Sequence, residues 1–232
     1  MLKLDRPTAN RVLGEGAIIV ISILLALYAD AWLDDRKQAA QLEGQLAALQ
    51  RDFETMLVRV DASHDSASRG AAAGRLLSEL MQSGARIDTA LAAEKLWHLV
   101  FYEVFTPSLG AYHALVDSGN LGLLKDAELK LELADFFGSF EDVRASEKLQ
   151  LDTQIAVFGS ETFSELAGWH RLGQAEVPVA GDLPVERWSE SDQFMNAVGI
   201  LTVRQYDVLE DYRFLRNRIR RITAAIEVET AR

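Results

Sequence analysis

"GEGAIIVISILLALYADAW", residues 14–32, is the stretch on which the reading of this chain turns. From Val12 to Leu33 only Glu15, Ser22 and Asp30 are polar. Twenty-two residues as helix rise about 33 Å, enough for a hydrocarbon core of about 30 Å. The two acids lie near the two ends of the run, where a carboxylate can lean toward headgroups at little cost. Tyr28 and Trp32 fall where an interfacial aromatic belt is expected, and "DDRK" then stops the run. The pattern predicts a transmembrane helix over 12–33. Two other readings compete. A basic start, an apolar run and Ala29-Asp30-Ala31 fit a cleaved signal peptide. A buried helix of a soluble core is the third, but residues 17–29 offer it no polar face beyond Ser22.

Outward from this stretch, one spacing persists. Gly14, Ile18, Ile21, Leu25, Tyr28, Trp32, Asp35, Ala39, Leu42, Leu46, Leu49, Phe53, Met56 and Val60 follow each other at steps of four and three. Only Asp35 among them is charged. The seam crosses from the apolar run into the polar part without a phase break, and no proline interrupts it. A single long helix is predicted, with a seam that packs on its own domain or on a second chain. A helical pattern continues over 65–83 through the small residues of "SASRGAAAG" and stops at Ser83-Gly84.

The remaining segments read as helices too. Asp88 caps a helix through Val104 with Leu91, Leu96, Leu99 and Val100 inside, and Pro107 breaks it. "SLGAYHALVDSGNLGLL" is a short helix and a Gly-Asn turn. Asp126 caps a helix with Leu129, Leu133, Phe136, Phe140 and Val143 on one face, resuming or continuing through Leu166. Residues 168–188, with Pro178 and Pro184, form a long loop. Ser189 or Ser191 starts a last helix. Its seam is Phe194, Val198, Leu201, Gln205, Val208, Tyr212, Leu215, Ile219, Ile222 and Ile226. No stretch alternates with period two for long enough to make a strand. The expected fold is all-α. A short tail, 1–11, leads to one transmembrane helix, 12–33, which continues into an extramembrane antiparallel helical bundle, 34–232.

Charge and chemistry narrow the function. The net charge is −11. Lys3, Arg6 and Arg11 balance Asp5, Glu15 and Asp30, so the negative charge sits on residues 33–232, a surface that repels nucleic acid. There is no cysteine, which removes disulfides, thiolate metal sites and iron–sulfur clusters. The four histidines, His64, His98, His113 and His170, make no H-E-x-x-H pattern. His64 between Asp61 and Asp65 is a weak divalent candidate or a solvated polar turn. His98 and His113 beside aromatic residues read as packed or hydrogen-bonded. Neither G-x-S-x-G nor S-x-x-K occurs, nor a phosphate loop, nor the E-x-x-H pairs of a di-iron bundle. The cluster Arg213, Arg216, Arg218, Arg220 and Arg221 pairs with acids such as Glu128, Glu132 or Asp135, or else meets anionic lipid. No cofactor is expected, and no enzyme.

Seven residues remain as interaction candidates. Gly14 and Gly16 let a neighbouring helix approach the Glu15 carboxylate, which otherwise snorkels at the helix start. Trp32 marks the membrane boundary. Ser118, Gly119 and Asn120 form either a recognition turn or a turn that satisfies backbone geometry between helices.

The opening stretch resembles the N-terminal signature of an uncharacterised bacterial family of small single-pass membrane proteins. In that family a Gly-Glu pair opens an apolar run that ends in Ala-Leu and then Trp. "YHALVDSGNLGLLKDAEL", residues 112–129, is similar to a second block of the same family. Gly16 departs from the pattern, where an apolar residue is usual. The resemblance implies a span followed by a helical domain in the bacterial inner membrane, and carries no activity. Lys3, Arg6 and Arg11 precede the span, and Arg36 and Lys37 follow it. By the positive-inside rule this favours a cytoplasmic N-terminus and a periplasmic helical domain. The expected function is a membrane-anchored interaction or scaffold protein. It would be an accessory subunit of a respiratory, photosynthetic or transport complex, held by its span and bundle to other membrane subunits, to itself and to the bilayer. The alternative is a single-pass sensor whose helical domain binds a small ligand. The eleven or so residues ahead of the span leave that reading little room for an output domain.

Overall fold

The computed structural model describes residues 6–168 and 183–231, with the side chains of the first helix described from Val20 onward. His170, most of the expected 168–188 loop, and the side chains of Gly14, Glu15 and Gly16 lie outside the described residues. Everything described is helix, turn or extended connection, with no strand among the described residues.

Helix α1, Arg6–Ser83, runs unbroken for 78 residues, about 117 Å at the standard rise. The expected single helix through Asp30–Lys37 is observed. It stops where Gly84 takes a left-handed φ of 64°, a conformation that costs glycine nothing. Asp88 caps α2, Thr89–Val100, accepting from the Leu91 amide at 2.9 Å. Residues 101–109 form neither helix nor strand, and leave α2 in an extended conformation at Phe101. Helix α3, Gly110–Asp117, leads through left-handed Gly119 into a 3-10 turn, Asn120–Leu123. Asp126 caps α4, Ala127–Phe158, and Ser160 caps α5, Glu161–Leu166. After a 3-10 turn at Val185–Arg187, Ser191 caps α6, Asp192–Thr230.

Three long helices form the frame. Helix α6 packs along both α1 and α4, while α2 and α3 lie on α1. Both partners run antiparallel to α6. On α1, Arg220 reaches Asp61 and Gln205 lies on Gly70. On α4, Arg221 meets Glu132 and Asp211 meets Ser146. Every residue of the expected α6 seam, Phe194 to Ile226, is buried. The five expected inward residues of α4 are buried as well.

The core divides into two apolar clusters along the frame. One gathers Leu46 to Ala67 of α1, Leu129 to Val143 of α4 and Val208 to Ile226 of α6. The other gathers Leu77, α2, α5, Trp188 and Phe194 to Leu201. The small patch of α1 explains the spacing between them. A Cβ on Gly70 would lie 2.6 Å from Gln205 Cδ, and one on Gly74 would collide with Thr202 Oγ1. Glycine at both positions lets α6 come this close.

Two expectations need correction. The α2 helix ends at Val100, not Val104, because the next residues leave the helix to be gripped from three sides, as described below. Leu91 is half-buried, not interior. The helix from Asp126 resumes as expected: it stops at Phe158, and after Gly159 and the Ser160 cap the chain runs on as α5 to Leu166. The upper α1 seam, from Ile21 to Trp32, packs on none of the described residues. Burial begins at Leu42 and Leu46, whereas Ile21, Leu25, Tyr28 and Trp32 are exposed. Among the described residues no helix is long and apolar enough to cross a membrane. The described side chains of the 12–33 run begin at Val20.

Candidate functional site: a polar layer between the clusters

Ser63, Ser66, Glu147, Gln150, Gln154, Thr202 and Gln205 are all buried. They come from α1, α4 and α6 and occupy the level between the two apolar clusters. Buried polar groups are tolerated where they find hydrogen-bond partners, and for Ser66, Glu147, Gln154 and Gln205 the partner is the backbone of residues 99–105. Gln205 Nε2 donates to the Leu99 carbonyl at 2.8 Å, and Gln154 Nε2 to the Val100 carbonyl at 2.8 Å. The Glu103 amide donates to Ser66 Oγ at 3.1 Å. The Phe105 amide donates to Glu147 Oε1 at 2.9 Å. Tyr212 Oη lies 2.6 Å from the same carboxylate oxygen and 3.2 Å from the Glu103 carbonyl. Arg59 donates to the Thr106 carbonyl at 3.0 Å. Residues 99–106 thus form a strap whose backbone is satisfied by side chains of all three frame helices. A buried carbonyl or amide left unmade costs about 1–3 kcal/mol, so the strap and its holders specify each other.

The electrostatics follow from burial. Burial pushes the Glu147 carboxyl up from its ordinary value, against the Tyr212 and Phe105 hydrogen bonds and the Arg144 charge, which lower it. Burial and then the Glu147 charge push Tyr102 up to about 12. Tyr212 is raised further by burial, by its hydrogen bond to Glu147 and by that charge. The phenols therefore stay protonated as donors. Gln150 is buried beside these groups with neither amide atom bonded.

The same device recurs at the other end of the bundle. Asp52 accepts from Ser108 Oγ at 2.9 Å and from the Ala111 amide at 3.0 Å, so α1 caps α3 from outside. Glu229 of α6 accepts from the Lys125 and Asp126 amides ahead of α4. In the Ser118–Gly119–Asn120 turn, Ser118 Oγ accepts from Gln45 Nε2 at 3.0 Å and Asn120 Nδ2 donates to Gln45 Oε1 at 2.7 Å. Asn120 is buried, and Gly119 supplies the left-handed φ of 75°. Ser118 and Asn120 thus latch the turn onto α1, which supports the structural reading of this motif. Asn120→Ala strands the Gln45 carbonyl oxygen and is expected to cost about 1 kcal/mol. A fall in urea midpoint reads this out, and an unchanged midpoint would mean that the latch carries no energy.

The other candidates are scattered. Trp32 is exposed, with the Arg36 guanidinium 5.0 Å from its ring centroid. His64 lies within α1, not in a turn. Arg216 approaches it at 3.4 Å, and Arg216 and Arg220 take Asp61 at 3.5 and 3.8 Å. No three-ligand metal group occurs among the described residues. His98 lies 3.8 Å from Glu94, and His113 is exposed rather than packed, its ring 6.2 Å from Phe137. Arg218 and Arg221 pair with Glu132 and Asp135, two of the three acids expected. Glu147, Gln150 and Gln154 were missed, although a signal exists. The apolar repeat of α4 continues in step into these three polar residues while α6 places Gln205 on its own seam.

Comparison with protein-family models, with curated proteins and with solved structures gives no match for this chain. The fold therefore rests on the helices themselves, and the family resemblance rests on the two sequence blocks quoted above.

Proposed function

We propose that the protein is a non-enzymatic, membrane-anchored interaction protein, an accessory subunit that holds a rigid helical bundle beside a larger membrane assembly. One observation carries the reading. Val20, Ile21, Ile23, Leu24, Leu25, Leu27, Tyr28, Trp32 and Leu33 are 46–72% exposed, on all sides of one helix. The same helix then continues into a packed domain. Moving such a run from water into lipid is worth on the order of 10 kcal/mol, and together with residues 12–19 it reaches the length of a span. The four-three seam of this run is unfilled among the described residues, which supports as its partner a helix of another membrane subunit or of a second copy. The polar interior supports a scaffold, since its groups are spent on the protein's own backbone. The charge flanks and the resemblance favour a bacterial inner membrane with the bundle in the periplasm.

The test compares the full chain with residues 34–232. The full chain is expected to pellet with membranes after alkaline wash and to dissolve only in detergent. The shorter chain is expected to be soluble, helical and cooperative in its melt, because both apolar clusters begin beyond Leu42. A full chain that washes free of membranes would overturn the anchor. Purification in mild detergent then reads the partner by mass spectrometry. A second chain in fixed ratio, or a defined oligomer, supports the scaffold, and a bare monomer overturns it.

A further inference from the structure

The strap holds in the core a carboxylate that no ion pair among the described residues balances, with the Arg144 charge acting on it from outside hydrogen-bond range. Glu147 is 8% exposed, and among the described residues it belongs to no ion pair. The charged groups around it make their direct pairs elsewhere. On α4 itself, Arg144 pairs with Glu141. On α6, Asp211 is taken by Ser146. On α1, Arg59 donates to the Thr106 carbonyl, while His64 and Asp61 face Arg216. On α2, Lys95 and His98 face Glu94. The strap brings Tyr102 and exposed Glu103. Beside Glu147 stands one hydroxyl with two acceptors, since Tyr212 Oη is 2.6 Å from Glu147 Oε1 and 3.2 Å from the Glu103 carbonyl. A phenol has a single proton to give.

We propose that Glu147 is a buried proton-binding site, and that proton binding switches the Tyr212 hydroxyl from the Glu147 carboxylate to the Glu103 carbonyl. In the ionised state Tyr212 donates to Glu147. In the protonated state one proton from solvent sits on the Glu147 carboxyl, which donates to Tyr212 Oη. Tyr212 then donates to the Glu103 carbonyl, and the Phe105 amide still donates to the carboxyl. The Glu147–Tyr212 and Glu147–Phe105 hydrogen bonds persist in both states, so the strap stays closed and the domain takes up one proton without unfolding. The protonated form removes an uncompensated charge from the core, and this favours it.

The sign of the linkage follows. The folded carboxyl is raised above its ordinary value of 4.5, so the folded chain binds the proton more tightly than the unfolded one. Its contribution to stability is fully present at and below that ordinary value and is lost as pH rises through the folded one. Within that window the unfolding equilibrium constant changes by up to about tenfold per pH unit.

Two variants of the full chain in detergent test this. Glu147→Gln keeps the donor to Tyr212 and the acceptor for Phe105 but cannot titrate. Its stability is expected to lack the wild-type rise as pH falls toward the ordinary carboxyl value. The infrared band of a protonated buried carboxyl, present in the wild type in that window, is expected to vanish in it. Identical pH profiles for the two proteins, or a wild type without that band, overturn the proposal. Tyr212→Phe removes one donor to the anion. The band is then expected to persist to higher pH, and a band that titrates as in the wild type overturns the switch even if Glu147→Gln does not fold.

Discussion

Trp188→Ala is expected to lower stability by about 3–5 kcal/mol, the range for removing a large buried aromatic. Trp188 is 0% exposed, packs on Phe194 at 4.9 Å between ring centroids, and donates from Nε1 to the Leu166 carbonyl at 2.9 Å. It ties the turn before α6 to the end of α5, and with Phe163 and Phe194 it fills the cluster farther from the N-terminal run. Trp188→Phe keeps much of the volume but leaves the Leu166 carbonyl unmade, so about half of that loss is expected. Urea unfolding measures both. Hydrogen exchange in the alanine variant should show α2 and α5 opening while α4 near Phe136 stays protected. A loss below about 1 kcal/mol for alanine would show that the cluster closes around the gap.

Gly74→Leu is the second large effect. Helix propensity alone argues the other way, since replacing a helical glycine by a stronger former gains up to about 1 kcal/mol. Space decides against it. The first added carbon collides with Thr202 Oγ1 and lies 2.9 Å from Leu99 Cδ1. Thr202 cannot simply turn away, because its hydroxyl is bonded to the Val198 carbonyl at 2.6 Å. Helix α6 must move, and the Gln205 grip on Leu99 one turn further on moves with it. A net loss of about 3 kcal/mol is expected, toward the upper end of overpacking costs. Gly199, also helical but with open space beyond it, is the control. There Gly199→Ala is expected to stabilise by up to about 1 kcal/mol. Equal effects at the two glycines in chemical denaturation would refute the close approach.

What the sequence discloses and what it hides divide on physical lines. The α6 seam could be read residue by residue because its step of three and four persists for about nine turns and its burial is uniform. The caps at Asp88, Asp126 and Ser191 could be read because an N-cap is a local hydrogen bond between neighbours in the chain. The strap could not. What ends α2 at Val100 is not its own sequence but Gln154, Gln205, Ser66 and Glu147, between 37 and 106 residues away from the atoms they hold. Local propensity carries no trace of such a contact. The glycines of "SASRGAAAG" announce close packing without naming what comes close. The polar layer left one trace, the change of residue type on α4 at constant phase. That trace marks a buried polar level but not its acceptor.

The unbroken passage of α1 from Val20 through the exposed residues 34–41 to Leu42 makes azimuth a matter of counting. Each residue in that stretch turns the bundle by about 100° about the helix axis and lifts it by about 1.5 Å. One inserted alanine would therefore point the α4 side of the domain in a new direction, with every internal contact intact. Seven would restore the heading to within about 20° and raise the domain by roughly 10 Å. The compass bearing of the whole domain, relative to whatever grips the upper seam, is written in the number of residues between Leu33 and Leu42.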